Sequence, residues 1–136
     1  MLLPDAAART EFLEVIRITS AMGDPFARSL AGEEAGLWVA DEARQVLDRI
    51  AGLPDGGLQR CFVPGWGVRA HDDTDLLFEI AFCFRCHGAR LWGPAVPAEL
   101  AGIQAFDART EAGRALLDLF RARAREESRQ PSKGPA

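Results

Sequence analysis

Two cysteines and a histidine stand together in the run Phe82-Cys83-Phe84-Arg85-Cys86-His87, and a third cysteine, Cys61, lies upstream. A Cys-x-x-Cys pair can hold a soft metal, cycle between dithiol and disulfide, or, where His follows directly, carry a c-type haem. Each use makes its own demand. A structural zinc site takes four ligands at closed spacing. A redox pair wants its first thiol in an exposed, electropositive setting, and haem attachment belongs to exported chains. The remaining reactive inventory is thin: 2 His, 0 Tyr, no Gly-x-Ser-x-Gly elbow and no glycine-rich phosphate loop. Asp72, Asp73 and Asp75 cluster in a polar run that reads as a hairpin turn rather than a cation site. Arg121, Arg123, Arg125 and Arg129, interrupted by Glu126 and Glu127, read as the solvated end of a helix, where the dipole favours cations.

The segment that carries the Cys pair alternates. From Leu76, the even positions are Leu76, Phe78, Ile80, Phe82, Phe84 and Cys86, an unbroken apolar face; the odd ones are Leu77, Glu79, Ala81, Cys83, Arg85 and His87. This period of two predicts a strand running through the pair itself. Residues three apart in a strand point to opposite faces, so Cys83 and Cys86 could share a metal or a disulfide only if the chain turned sharply between them. On the upstream strand the apolar face is Phe62, Trp66, Val68 and Ala70. Matching apolar faces sets even residues opposite even ones, with Ala70 against Leu76 and Phe62 against Phe84. Cys61 then lies diagonal to Cys83 and His87, at about 7–8 Å between Cα atoms. The metal set that follows is Cys61, Cys83 and His87, with zinc the ion, and Cys86 becomes a buried core thiol.

Further elements must support this hairpin. Glu11 to Thr19 is rich in β-branched residues and reads as a strand, and Gly36 to Ala40 as a shorter one. Asp41 stands at an N-cap position, Ala43, Val46, Leu47 and Ile50 form one apolar stripe, and Gly52 follows, which predicts a helix. The strands Gln59 to Ala70 and Leu76 to Trp92 come next. A last helix spans Arg109 to Arg123, capped by Asp107 or Thr110, with Gly113, Leu116, Leu117 and Phe120 inward. The expected fold is therefore α+β: an antiparallel sheet with two helices packed on one face. Residues 1–127 form a single domain and 128–136, rich in Pro, Gly and Ser, a disordered tail.

Composition bounds the partners. The chain has 136 residues, 48% hydrophobic and 26% charged, which suits one ordinary globular domain. A net charge of -4 argues against binding to a nucleic-acid backbone or an anionic membrane. All but one of the 16 basic residues are Arg, Lys133 being the exception. No apolar run approaches a membrane span, and the opening MLLPDAAART lacks the basic and apolar regions of a secretory signal. The expected location is the cytoplasm, where three cysteines do not make a disulfide framework.

The stretch Cys61 to Arg69, CFVPGWGVR, followed by Cys83 to Cys86, CFRC, resembles a set of small bacterial proteins of uncharacterised activity. Their shared core runs Cys-Phe-x-Pro-x-His-Gly-(Ile/Val)-Arg and then Cys-Phe-x-Cys. All three cysteines match, and the order of flanking strands and helices is similar. Trp66 stands where that core usually has His. If that His is a ligand in the relatives, His87 would have to replace it here. The resemblance implies a fold and no activity.

Two functions remain. The first is a non-catalytic binding module without a cofactor. Its outer sheet face, including Val63, Arg69, Leu77, Ala81 and Arg85, meets a protein partner or a second copy of the chain. The alternative is a metal-binding or thiol-reactive protein using Cys61, Cys83 and His87.

Overall fold

The computed structural model describes residues 1–19, 30, 32–57 and 63–129. Its framework is a six-stranded antiparallel sheet: β1 (Phe12–Ile18), β2 (Gly32–Val39), β3 (Trp66–His71), β4 (Leu76–Cys83), β5 (Gly88–Trp92) and β6 (Gly102–Ala105). Their order is β2-β1-β3-β4-β5-β6, so the first strand lies inside the sheet between the second and third. Two helices, α1 (Asp41–Ala51) and α2 (Glu111–Arg129), complete an α+β fold.

Both helices cover one face. The apolar stripe of α1 (Ala43, Val46, Leu47 and Ile50) joins Leu116 and Phe120 of α2 in a core with Leu13, Val15, Val68, Phe78, Ile80 and Phe82 of the sheet. Aromatic rings knit its centre: Phe82 lies 5.6 Å from Phe120 and 6.1 Å from Phe106 between ring centroids. Contacts of this kind stabilise beyond the area they bury. Trp66 and Phe84 pack at the margin of the core, half-buried. Phe62 lies outside the described residues.

The face assignment of β3 and β4 agrees with expectation, with Trp66, Val68 and Ala70 paired to Phe82, Ile80 and Phe78. The register differs by two residues from the expected Ala70 against Leu76. A bulge causes the difference: Ala70 pairs with Phe78 and His71 with Leu76, so Leu77 is the extra residue and is packed into the core.

The strand expected from Leu76 to Trp92 is two strands. β4 ends at Cys83, residues 84–87 form a turn, and β5 returns from Gly88 paired with Cys83. The left-handed conformation this reversal needs falls on His87, with φ of 55°. His is one of the few non-glycine residues that take it with some frequency. Helix starts also differ in detail. Asp41 is the first residue of α1 rather than its cap, while α2 is capped by Thr110, whose Oγ1 accepts the Gly113 amide at 3.1 Å. The helix continues to Arg129, two residues into the segment expected to be tail; residues 130–136 lie outside the described residues.

Candidate functional site

The β4–β5 turn brings Cys83 and Cys86 together. Their Cα atoms are 5.2 Å apart and their sulfurs are bonded as a disulfide. Spacing in a continuous strand forbids this bond, and the four-residue turn permits it by swinging Cys86 back over Cys83. The Cys86 amide also donates to Cys83 Sγ at 3.1 Å, placing a dipole on that sulfur. Both cysteines are buried. Cys83, expected as an exposed thiol on the outer face, is instead buried and bonded to Cys86.

His87 does not join them. Its Nδ1 accepts the Ala108 backbone N–H at 3.0 Å, so the proton of the neutral ring resides on Nε2. Asp107 Oδ1 stands 3.8 Å from the same nitrogen. That carboxylate is held below the usual range by the backbone N–H of Arg109, which donates to it at 2.9 Å, and further by the Arg109 guanidinium. His87 thus pins the turn to the connection entering α2. Cys61, the third expected ligand, lies outside the described residues, and among the described residues no three His, Cys, Asp or Glu side chains converge as a metal site.

The outer sheet face holds a second cluster that the sequence reading did not anticipate. Glu14 on β1 and Arg69 on β3 are cross-strand partners, and so are Arg69 and Glu79 on β4. Arg69 Nε donates to Glu79 Oε1 at 3.0 Å, and Arg69 Nη1 lies 3.7 Å from Glu14 Oε2. Glu14 Oε1 is bonded in turn to His71 Nε2, and the His71 ring stacks on Phe12. Leu30 closes the cluster from above. Its N–H donates to Glu79 Oε1 at 3.2 Å, and its carbonyl accepts from Arg69 Nη2 at 2.6 Å. Glu79 is buried, with 1% of its side chain exposed, and the Arg69 and Leu30 donors satisfy its carboxyl there. The available signal was Glu79, the one charged residue in the otherwise apolar β4, with Glu14 set among the apolar residues Leu13, Val15 and Ile16 of β1.

This arrangement redraws the expected interaction face. Ala81 is buried under Leu30 and Ile16, Leu77 is turned inward by the bulge, and Arg69 is committed to the ion-pair cluster. Val63 and Arg85 remain exposed. Open apolar surface lies instead at the margins of the sheet, at Leu37 and Val39 on edge strand β2 and at Ile103 on edge strand β6. The expected turn at residues 72–75 is present: Asp72 Oδ1 accepts the amides of Thr74 and Asp75 at 2.9 and 2.7 Å. These bonds hold the Asp72 carboxyl below its usual range.

No helix among the described residues is long and apolar enough to cross a membrane. Comparison with protein-family models, with curated proteins and with solved structures finds no match to this chain.

Proposed function

We propose that the protein is a non-catalytic thiol–disulfide protein in which Cys83 and Cys86 interconvert between a disulfide and a dithiol. The observation that carries this reading is the bond between them across the β4–β5 turn. A sequence separation of 3 makes it a weak staple. In the chain-entropy model such a loop contributes about 2 kcal/mol, against about 4–5 kcal/mol for a loop of a hundred residues. Its main effect is local, fixing the turn and the His87 contact that follows. The Cys86 amide aimed at Cys83 Sγ is the donor a thiolate at that position needs, which marks Cys83 as the attacking sulfur of the reduced pair.

The exchange balances with a small thiol reductant of the glutathione class. One thiolate attacks the disulfide to form a mixed disulfide, and a second releases the protein dithiol together with the oxidised reductant. Two electrons and two protons pass to the protein, and the reverse direction uses the small disulfide as oxidant. Burial of both sulfurs makes the turn open before exchange. In a reducing cytoplasm the dithiol is the resting form and oxidation is the event to which the protein responds.

Alkylation of the native chain followed by mass spectrometry tests this. After equilibration with oxidised glutathione, only the Cys61 thiol should be alkylated; addition of a reductant should expose two more. Three reactive thiols after the oxidised treatment would refute the reading. Protection of the pair by zinc, relieved by a chelator, would put a metal site in its place.

Leu37 and Val39 favour the binding-module reading as well. They are 40% and 54% exposed on one face of an edge strand, where an added strand from a second copy could pair. Light scattering should then show a mass that rises with concentration, and the double substitution Leu37→Asp and Val39→Asp should hold it at the monomer value.

A further inference from the structure

One groove of the molecule is cationic although the chain as a whole is acidic. It lies between the C-terminal half of α2 and the end of the sheet where β1 and β3 meet, and it encloses about 350 Å³. Arg121, Arg125 and Arg129 line it from successive turns of the helix, with Ala124 between them. Arg17 and Trp66, cross-strand partners on β1 and β3, form the opposite wall. Among the described residues no carboxylate lines it. Glu33 pairs with Arg17 across the β1–β2 ladder, yet makes no ion pair with it.

Helix stability does not account for this surface. Cations near a helix C-terminus interact favourably with the dipole. Like charges spaced i, i+4 repel, however, and Arg121, Arg125 and Arg129 repeat that spacing twice. The neighbouring face of the same helix is neutralised, with Arg123 bonded to Glu126 at 2.6 Å and to Glu127 at 3.3 Å. Among the described residues the groove face has no such partner, and a fourth guanidinium reaches it from the sheet. Arg17 is held there with its Cζ 5.5 Å from the Trp66 ring centroid, and Trp66 is itself stacked on Phe120. A stacked guanidinium is oriented before any ligand arrives, so it loses little freedom on binding.

We propose that this groove binds the phosphate group of a small phosphate ester of nucleotide size. Planar guanidinium forks match the oxygens of a phosphate in pairs, and four of them suit a multiply charged group. The volume exceeds what a bare phosphate fills and falls in the range of small-ligand sites, roughly 300–1,000 Å³. Ala124 and the Trp66 edge offer apolar surface to the organic part. The site is distinct from the Cys83–Cys86 turn, and its test does not depend on the oxidation state of the cysteines.

Isothermal titration with ADP, pyrophosphate and adenosine as probes tests the proposal. ADP should bind with an affinity that falls as salt is raised, pyrophosphate more weakly, and adenosine not at all. The exposed pair Arg121→Glu and Arg125→Glu should weaken ADP by at least about tenfold, the scale of losing a charged hydrogen-bonded contact. Arg49→Glu, on the exposed side of α1, should leave binding unchanged. Should the double variant unfold, the salt dependence of ADP binding to the unaltered chain still decides. Binding of ADP that ignores salt, or that survives in a folded double variant, would overturn the assignment, as would no binding at millimolar probe. Tighter Arg121-dependent binding of a single-stranded oligonucleotide than of ADP would reassign the groove to nucleic acid.

Discussion

Phe82 is the residue on which most of the aromatic packing turns, since its ring meets Phe84, Phe106 and Phe120 and none of its surface is exposed. Phe82→Ala should cost about 3–5 kcal/mol in chemical denaturation, the usual range for a large ring removed from a full core. Asp72 makes a prediction of a different kind. In the folded state its carboxyl is held below the usual aspartate range because the Thr74 and Asp75 amides donate to it. A lowered folded pKa contributes stability above the unfolded value and loses it as pH falls through the folded one. Asp72→Ala should therefore lower the melting temperature near neutrality, and the gap from the unaltered chain should close as the pH is taken below the carboxylate range. Asp72→Asn, which keeps an acceptor for the turn, should lose less. At this scale the sequence was most legible where a side chain's neighbours follow from alternation, as for Phe78, Ile80 and Phe82. It was least legible at Cys83 and Cys86, where the flanking residues gave no sign of the turn. Phe84 is apolar because it packs against Phe106 and Phe120 from within that turn, so its side chain extends the alternation while its backbone has left the strand.

Among the elements, α2 is the one whose start is most plainly encoded. Thr110 closes it through the Gly113 amide, and Asp107 forms its own turn one step earlier by accepting the Arg109 amide. Thr110→Ala should cost about 1 kcal/mol, measured by denaturation, with Thr110→Ser close to neutral. The β1–β2 connection is harder to anticipate. Leu30 reaches across the outer face and rests on Gly67, where an added Cβ would come within 2.6 Å of the Leu30 side chain and 2.7 Å of the Ile80 carbonyl. Gly67→Ala should consequently loosen Leu30 from Arg69 and Glu79, and hydrogen exchange at the Leu30 amide should rise before the core amides respond. Read along the chain, Gly67 suggests only a weak point in a strand. Its purpose depends on a residue far away in sequence, which periodicity does not reach. The same limit hid β6, four residues long with an alternation too short to register.

For the molecule as a whole, strand order carries a consequence for how the chain is made. β1 is flanked by β2, its immediate successor, and by β3, which begins only at Trp66. On a ribosome the first hairpin and α1 can emerge together, but the inner edge of β1 stays without a partner until His71 has been synthesised. Through that interval Leu13, Val15 and Ile16, all fully buried in the finished protein, sit on a strand with one open ladder. Pairings that wait on distant sequence form slowly and are exposed to wrong partners meanwhile. A chain stalled after residue 57 should accordingly be degraded or held by a chaperone in translation extracts, whereas one stalled with residues through 129 outside the ribosome should resist protease. The vulnerable nascent form is thus a half-built sheet with β1 as its bare edge, and synthesis of β3 is the event that ends its exposure.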